Sequence, residues 1–263
     1  VNDSREAFSL LSASFFGNPA KKLRLVGVTG TNGKTTTCFL LKGIFESLGH
    51  KTGLIGTVKN MVGEKEYPAN FTTPDPFELN GLFAEMVEAG CEFCVMEVSS
   101  QALAQQRVAG LHYETAIFTN LTQDHLDYHG NFENYIAAKH KLFENCSTAI
   151  VNSDDEAYTA MLEGCSCRCI TFSAMSDSAD FSAKNIEYKP DGVAYILVGI
   201  GKIERIKMGI PGGFTVYNSM GAAICAIELG MPMDKVAQAL SVAKGVPGRI
   251  EVVPTDTDYT VII

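Results

Sequence analysis

The stretch Val28–Thr37 reads VTGTNGKTTT and nearly completes a phosphate-binding pattern. Gly33, Lys34 and Thr35 satisfy the closing G-K-[ST], but the leading glycine of the usual spacing would fall on Val28. Gly30 and Gly33 supply two positions free of Cβ strain. Such a loop turns backbone N–H groups and a helix N-terminus toward phosphate oxygens. Lys34 would reach the β- and γ-phosphates, and the Thr35 hydroxyl would ligate Mg²⁺. The competing reading is a glycine-rich turn with an exposed lysine. A β-branched run before the loop and a helical period after it favour the phosphate loop.

Glu97 closes the apolar run FCVME, and an acidic residue at a strand end beside such a loop commonly holds Mg²⁺. A third segment, TNLTQDHLDYHG from Thr119, carries Asp124, His125, Asp127 and His129. From residue types alone it is equally a divalent-ion site or a polar loop ending in a helix cap. Lys139 and Lys141 on the following helix read as solvated lysines. Arg107 offers a planar fork for a phosphate or carboxylate.

These groups need strand ends and helix starts to hold them, and the chain supplies both in alternation. KLRLVGVT (22–29), KTGLIGTV, CEFCVMEVSS, YETAIFTNL and STAIVNSDD read as strands. TTTCFLLKGIFESLG and NFENYIAAKHKLFEN read as helices, as does DPFELNGLFAEMVEAG with Asp75 as N-cap. Continuous apolar strands after helices predict an α/β fold with a mostly parallel sheet and helices on both faces. From about 168 to 210, RCITFS, FSAKNIEYK, GVAYILVG and KIERIKMGI predict a small antiparallel extension. Two helices follow, in NSMGAAICAIELG and PMDKVAQALSVAKG, and then strands in RIEVVP and YTVII. Residues 1–20 read as a connector into the first strand, and the uncapped final strand suggests a longer parent chain.

Bulk properties agree with a globular domain: 263 residues, 46% apolar, 19% charged and mean hydropathy +0.08. The net charge of −9 argues against non-specific nucleic-acid binding. No apolar run approaches the roughly 20 residues of a membrane helix, and the opening VNDSREAFSL lacks the regions of a signal peptide. Eight cysteines, including the alternating Cys165, Cys167 and Cys169 on one expected strand face, read as reduced thiols of a cytoplasmic protein.

TGTNGKT, EVSS and TNLTQDHLDYHG followed by YIAAK closely resemble the Mur ligases, and within them the UDP-N-acetylmuramoyl-tripeptide synthetase (MurE) type. The resemblance spans essentially the whole chain. It implies an ATP-dependent amide-bond ligase of peptidoglycan synthesis, in which ATP phosphorylates the D-Glu carboxylate of UDP-MurNAc-L-Ala-D-Glu. The amine of an incoming amino acid then attacks the acyl phosphate. By resemblance, Lys34, Glu97, His125 and Lys139 are catalytic; Thr35 and Glu97 hold one Mg²⁺, and His125 the second. Lys139 matches a lysine that is carbamylated, which reverses the solvated reading. Gly30, Thr31, Asn32, Gly33, Thr36 and Arg249 would contact the nucleotide phosphates, and Asn120 and Asn218 lie around the adenine. Thr72, Thr73, Ser99, Gln105 and Arg107 would contact the nucleotide-sugar peptide.

Two residues depart from the family pattern, Thr215 where Asn is frequent and Phe71 where some relatives carry Asn. The resemblance also implies an N-terminal uridine-binding domain and a C-terminal domain outside this sequence. Residues 21–263 would then be the central ATP-binding domain, a monomer inactive alone. Alternatives are a folylpolyglutamate- or cyanophycin-type ligase on the same scaffold, or a P-loop module without ligase chemistry.

Overall fold

The computed structural model describes residues 3–246, 248, 252–253 and 261–262. Helix α1 (Ser4–Phe15) and a short 3-10 turn, Pro19–Lys22, lead into β1 (Arg24–Thr29), and α2 (Lys34–Ser47) follows the glycine loop. Next come β2 (Thr52–Ile55), β3 (Lys59–Val62), β4 (Lys65–Pro68), α3 (Pro76–Glu88), β5 (Phe93–Glu97), α4 (Ser100–Ala104) and β6 (Tyr113–Phe118). The middle of the chain forms α5 (Leu126–His129), α6 (Phe132–His140), β7 (Cys146–Asn152), α7 (Tyr158–Leu162) and β8 (Arg168–Ser173). Then follow β9 (Phe181–Lys189), β10 (Gly192–Gly199), β11 (Lys202–Met208), α8 (Gly213–Glu228), α9 (Met233–Ser241), β12 (Val252–Val253) and β13 (Val261–Ile262).

Among the described residues, 11 strands form one sheet in the order β11-β10-β9-β8-β7-β6-β1-β5-β2-β3-β4. From β2 to β9 along this order every pairing is parallel, which bears out the α/β expectation. The reason lies in the two apolar faces. Val26, Val95, Ile117 and Ile150 pack under α2, α8 and α9. Leu25, Cys94, Ala116 and Ala149 point the other way, against apolar residues of α3, α6 and α7. With both faces covered, β5 is buried at every position and its sequence shows no polar alternation.

The structure corrects three expectations. β8 pairs parallel with β7 and with β9, so it belongs to the central sheet; the antiparallel extension is β9-β10-β11. A second antiparallel extension, β3 and β4, lies on the opposite edge. Residues 1–20, read as a connector, contain α1, capped by the Asp3 carboxylate on the Arg5 and Glu6 N–H groups, and a helix leaves that reading standing. Of the alternating cysteines only Cys169 lies in β8, because that strand begins at Arg168. All eight cysteines are free thiols, five of them buried.

Candidate active site

Val28 is the penultimate residue of β1, paired with Glu97 on one side and Ile117 on the other. The turn therefore starts at Gly30 (φ 146), and Gly33 (φ 87) makes the entry to α2. Both φ values are positive, so neither position accepts a side chain without strain. A Cβ on Gly30 would strike Thr119 Oγ1, and one on Gly33 would strike Asn218 Oδ1. The missing glycine at Val28 is thus a strand residue, and the loop is a turn of its own geometry.

At the carboxyl ends of β1, β5 and β2, three side chains meet. The Thr35 hydroxyl lies 3.0 Å from both Glu97 oxygens. Thr57, just beyond β2, donates its N–H to Glu97 Oε1 at 2.8 Å and its hydroxyl to Oε2 at 3.1 Å. Glu97 is 1% exposed, and these donors are all uncharged. A buried carboxylate held by neutral donors beside a threonine hydroxyl is a hard-oxygen set that fits Mg²⁺. Thr57 was not evident from sequence, although its place just beyond the short strand GLI was the available signal.

Lys139 is 1% exposed, which overturns the solvated reading drawn from its local sequence. Its Nζ donates to the Gly30 carbonyl at 2.8 Å and lies 4.7 Å from the centre of the Tyr135 ring. Burial, then the charge of Lys34, hold the amine well below the usual lysine range. Lys34 Nζ donates to the same Gly30 carbonyl at 2.9 Å and to Thr31 O at 2.8 Å. Lys141 is partly exposed. Tyr135, also missed from sequence, is fully buried, and its hydroxyl lies 3.2 Å from Thr31 Oγ1.

His125 takes a left-handed conformation (φ 53) ahead of α5, and its side chain is 45% exposed. It lines a cleft of about 400 Å³ with Lys34, Lys139, Thr72, Thr73, Ser99, Gln105 and Arg107. A second cleft of about 220 Å³ is lined by Thr31, Asn32, Gly33, Lys34, Thr35, Thr36, Thr57, Thr72 and Glu97. Lys34 and Thr72 line both, so the two clefts meet there. A larger cleft of about 850 Å³ lies at the amino end of β2, between Glu46, Lys51, Lys65 and Glu85, and contains none of the motif residues.

The remaining expected contacts fall into three groups. Thr73 is buried, donates to Glu97 O at 2.8 Å and accepts from Ser99 N–H at 3.1 Å. Arg107 donates to Thr73 O at 2.9 Å, chelates Gln105 Oε1 and lies over the Phe71 ring. Asn120 pairs with the backbone of Asn32, while Asn218 is buried in α8 against Gly33. That helix starts five residues before the expected Asn218, so Thr215 lies in its first turn, buried and donating to Pro211 O at 3.0 Å. Arg249 lies outside the described residues.

The profile of the Mur ligase middle domain matches residues 28–226, from the end of β1 to the body of α8. The chain belongs to the Mur ligase family. Among curated Mur ligases, the UDP-N-acetylmuramoyl-L-alanyl-D-glutamate–2,6-diaminopimelate ligase of Clostridium perfringens is 45% identical over the whole of this chain and 55% of its own length. A Clostridium acetobutylicum ligase of the same description is 42% identical, again over 55% of its length. A solved ligase of that description superposes with a TM-score of 0.86 at 27% identity, over 95% of this chain and 53% of its own. The chain thus spans about half the length of these curated relatives. Among the described residues no helix is long and apolar enough to cross a membrane.

Proposed function

We propose that this chain is the central ATP-binding domain of a MurE-type ligase, with residues 1–20 as the link to a preceding domain. In this reading it works in the cytoplasm as a monomer. The full-length ligase would join an amino acid to UDP-MurNAc-L-Ala-D-Glu with consumption of ATP, and this domain alone is inactive. The observation that carries the reading is the meeting of the phosphate-loop cleft and the Arg107 cleft at Lys34 and Thr72. One cleft suits a polyphosphate and the other an anionic peptide, and a phosphoryl group would pass between them.

Phosphoryl transfer depends on alignment and charge neutralisation more than on covalent help. The loop N–H groups and Lys34 would hold the β- and γ-phosphates, with Thr36 beside them and Arg249 as a further phosphate contact. Thr35 and Glu97 would hold one Mg²⁺, and His125 with Lys139 the second; bound there, the ions would neutralise charge on the transferred phosphoryl group. Lys139 suits this as a carbamate. Burial and the charge of Lys34 lower its basicity, and the neutral form of the amine would add to CO₂ with loss of one proton to give a carboxylate. Thr72, Thr73, Ser99, Gln105 and Arg107 would seat the dipeptide so that its terminal carboxylate faces the γ-phosphate. The free carboxylate oxygen attacks phosphorus, ADP leaves, and the incoming amine then displaces phosphate from the acyl carbon. Asn218 and Asn120 lie on the nucleotide side.

The test is ATP-dependent ligation by the full-length protein, supplied with UDP-MurNAc-L-Ala-D-Glu and either meso-diaminopimelate or L-lysine. Product formation with the nucleotide dipeptide and none with a folate acceptor is expected. Turnover of folate, or ATP binding without any ligation, would overturn the reading.

A further inference from the structure

We propose that Asn152 and Asp155, at the end of β7, are positioning residues for the phosphate loop and act on it through Asn120. The proposal rests on the nucleotide-binding reading above. Asn120 is pinned from both chain directions. Asn152 Nδ2 donates to the carbonyl of Thr119 at 2.8 Å, and Asp155 Oδ2 accepts from the Leu121 N–H at 2.7 Å. Both side chains are first fixed by their own turn. Asn152 Oδ1 accepts from the Asp154 N–H at 3.1 Å, and Asp155 Oδ1 from the Ala157 N–H at 3.0 Å.

Held this way, Asn120 grips the loop with three hydrogen bonds. Its carbonyl accepts from the Thr31 N–H at 2.8 Å. Its side-chain oxygen accepts from the Asn32 N–H at 3.0 Å, and its amide nitrogen donates to the Asn32 carbonyl at 3.1 Å. The amide side chain therefore copies one rung of a sheet ladder along the loop, midway between the two positive-φ glycines, Gly30 and Gly33. The Thr119 hydroxyl reinforces it, donating to the same Asn32 carbonyl at 2.6 Å. The Thr31 and Asn32 N–H groups are themselves taken by Asn120, so the brace acts by fixing the backbone that leads into the N-terminus of α2, and a loop held in shape before binding lowers the cost of binding phosphate. Asn120 then acts on the loop rather than on a base, and its two holders act at one remove.

The consequence is a loss that ignores the base. Binding of ATP, GTP and inorganic tripolyphosphate to the full-length protein is measured by calorimetry, with amide hydrogen exchange at Thr31 followed in the unliganded protein. Asn152→Asp keeps the shape but loses the donor to Thr119. It is expected to weaken all three probes by a similar factor, about tenfold, and to speed exchange at Thr31. Asp155→Ala is expected to do the same. Asp155→Asn keeps an oxygen for the Leu121 N–H but loses the acceptor for the Ala157 N–H, so its loss is expected to be smaller than that of Asp155→Ala, about threefold. A loss confined to ATP would make Asn120 a base contact and overturn the brace. Unchanged exchange at Thr31 in Asn152→Asp would overturn it as well, even in a protein that binds no phosphate. Failure of the parent protein to bind any of the three probes would count against the functional reading alone.

Discussion

Lys34 and Lys139 converge on one acceptor, the carbonyl oxygen of Gly30, at 2.9 and 2.8 Å. Two ammonium groups sharing one carbonyl repel each other, and burial, then the charge of Lys34, hold the Lys139 amine well below the usual lysine range. A carbamate at Lys139 would turn that repulsion into attraction and keep Lys34 close to the loop. Replacing Lys139 with Ala is expected to lower ligation by the full-length protein about a hundredfold or more. Formate or acetate should restore part of the rate by supplying a carboxylate in the vacated space. Lys34→Ala should lose activity without such rescue. Equal ligation by Lys139→Ala and the parent would sink the carbamate role.

Glu97 is held from two sides, by Thr35 on α2 and by Thr57 beyond β2. Glu97→Gln preserves the shape of the group and removes its charge. The Mg²⁺ concentration for half-maximal ligation is therefore expected to rise about tenfold or more. Thr57→Val removes one supporting hydroxyl bond and leaves the backbone donor, so its shift should be smaller. A Mg²⁺ titration of the two variants beside the parent decides the order.

The sheet core and the site motifs were legible because their signals are local. Asp75 caps α3 through the Phe77 and Glu78 N–H groups as its position before Pro76 suggested. Glycine spacing and strand-end acids likewise marked the phosphate loop and Glu97. Burial of Lys139 was not legible, because AAKHK is polar in isolation and the Gly30 carbonyl that meets that amine comes from a loop more than a hundred residues earlier. Strand direction was hidden for a similar reason. RCITFS reads the same whether β8 pairs parallel or antiparallel, since alternation encodes faces and not partners. The β3–β4 hairpin did leave a mark. Gly63 (φ 59) opens its two-residue turn, a signal the sequence reading did not use.

Arg107 is built as a fork. Its Nε and Nη2 chelate Gln105 Oε1, and its Nη1 holds Thr73 O beside the buried end of β5. Lysine has one point charge and cannot span these acceptors. Arg107→Lys is expected to raise the KM for UDP-MurNAc-L-Ala-D-Glu about tenfold while leaving the KM for ATP near the parent value. Steady-state kinetics with each substrate varied in turn would show it. A matched rise in both constants would place Arg107 in the frame of the cleft instead of in contact with the peptide.

Tyr217, on α8 beside Asn218, donates its hydroxyl to Asp154 Oδ2 at 3.0 Å. Burial, with the hydrogen bond to Asp154 and its charge, pushes the phenol up to about 12. An unfolded tyrosine ionises near pH 10. Below that value both states keep the proton, and the stabilisation from this bond is fully present. Between about pH 10 and 12 the unfolded chain releases a proton that the native protein retains, so stability falls with rising pH. Tyr217→Phe lacks both the bond and the titration. It should be less stable than the parent at pH 8, by about 1 kcal/mol, and the gap should narrow as pH passes from 10 toward 12. Urea midpoints of the two proteins at pH 8 and pH 11 measure this, and the other tyrosines cancel in the difference. A gap that stays constant would mean that Tyr217 ionises as it does in the unfolded chain, and that Asp154 does not hold it.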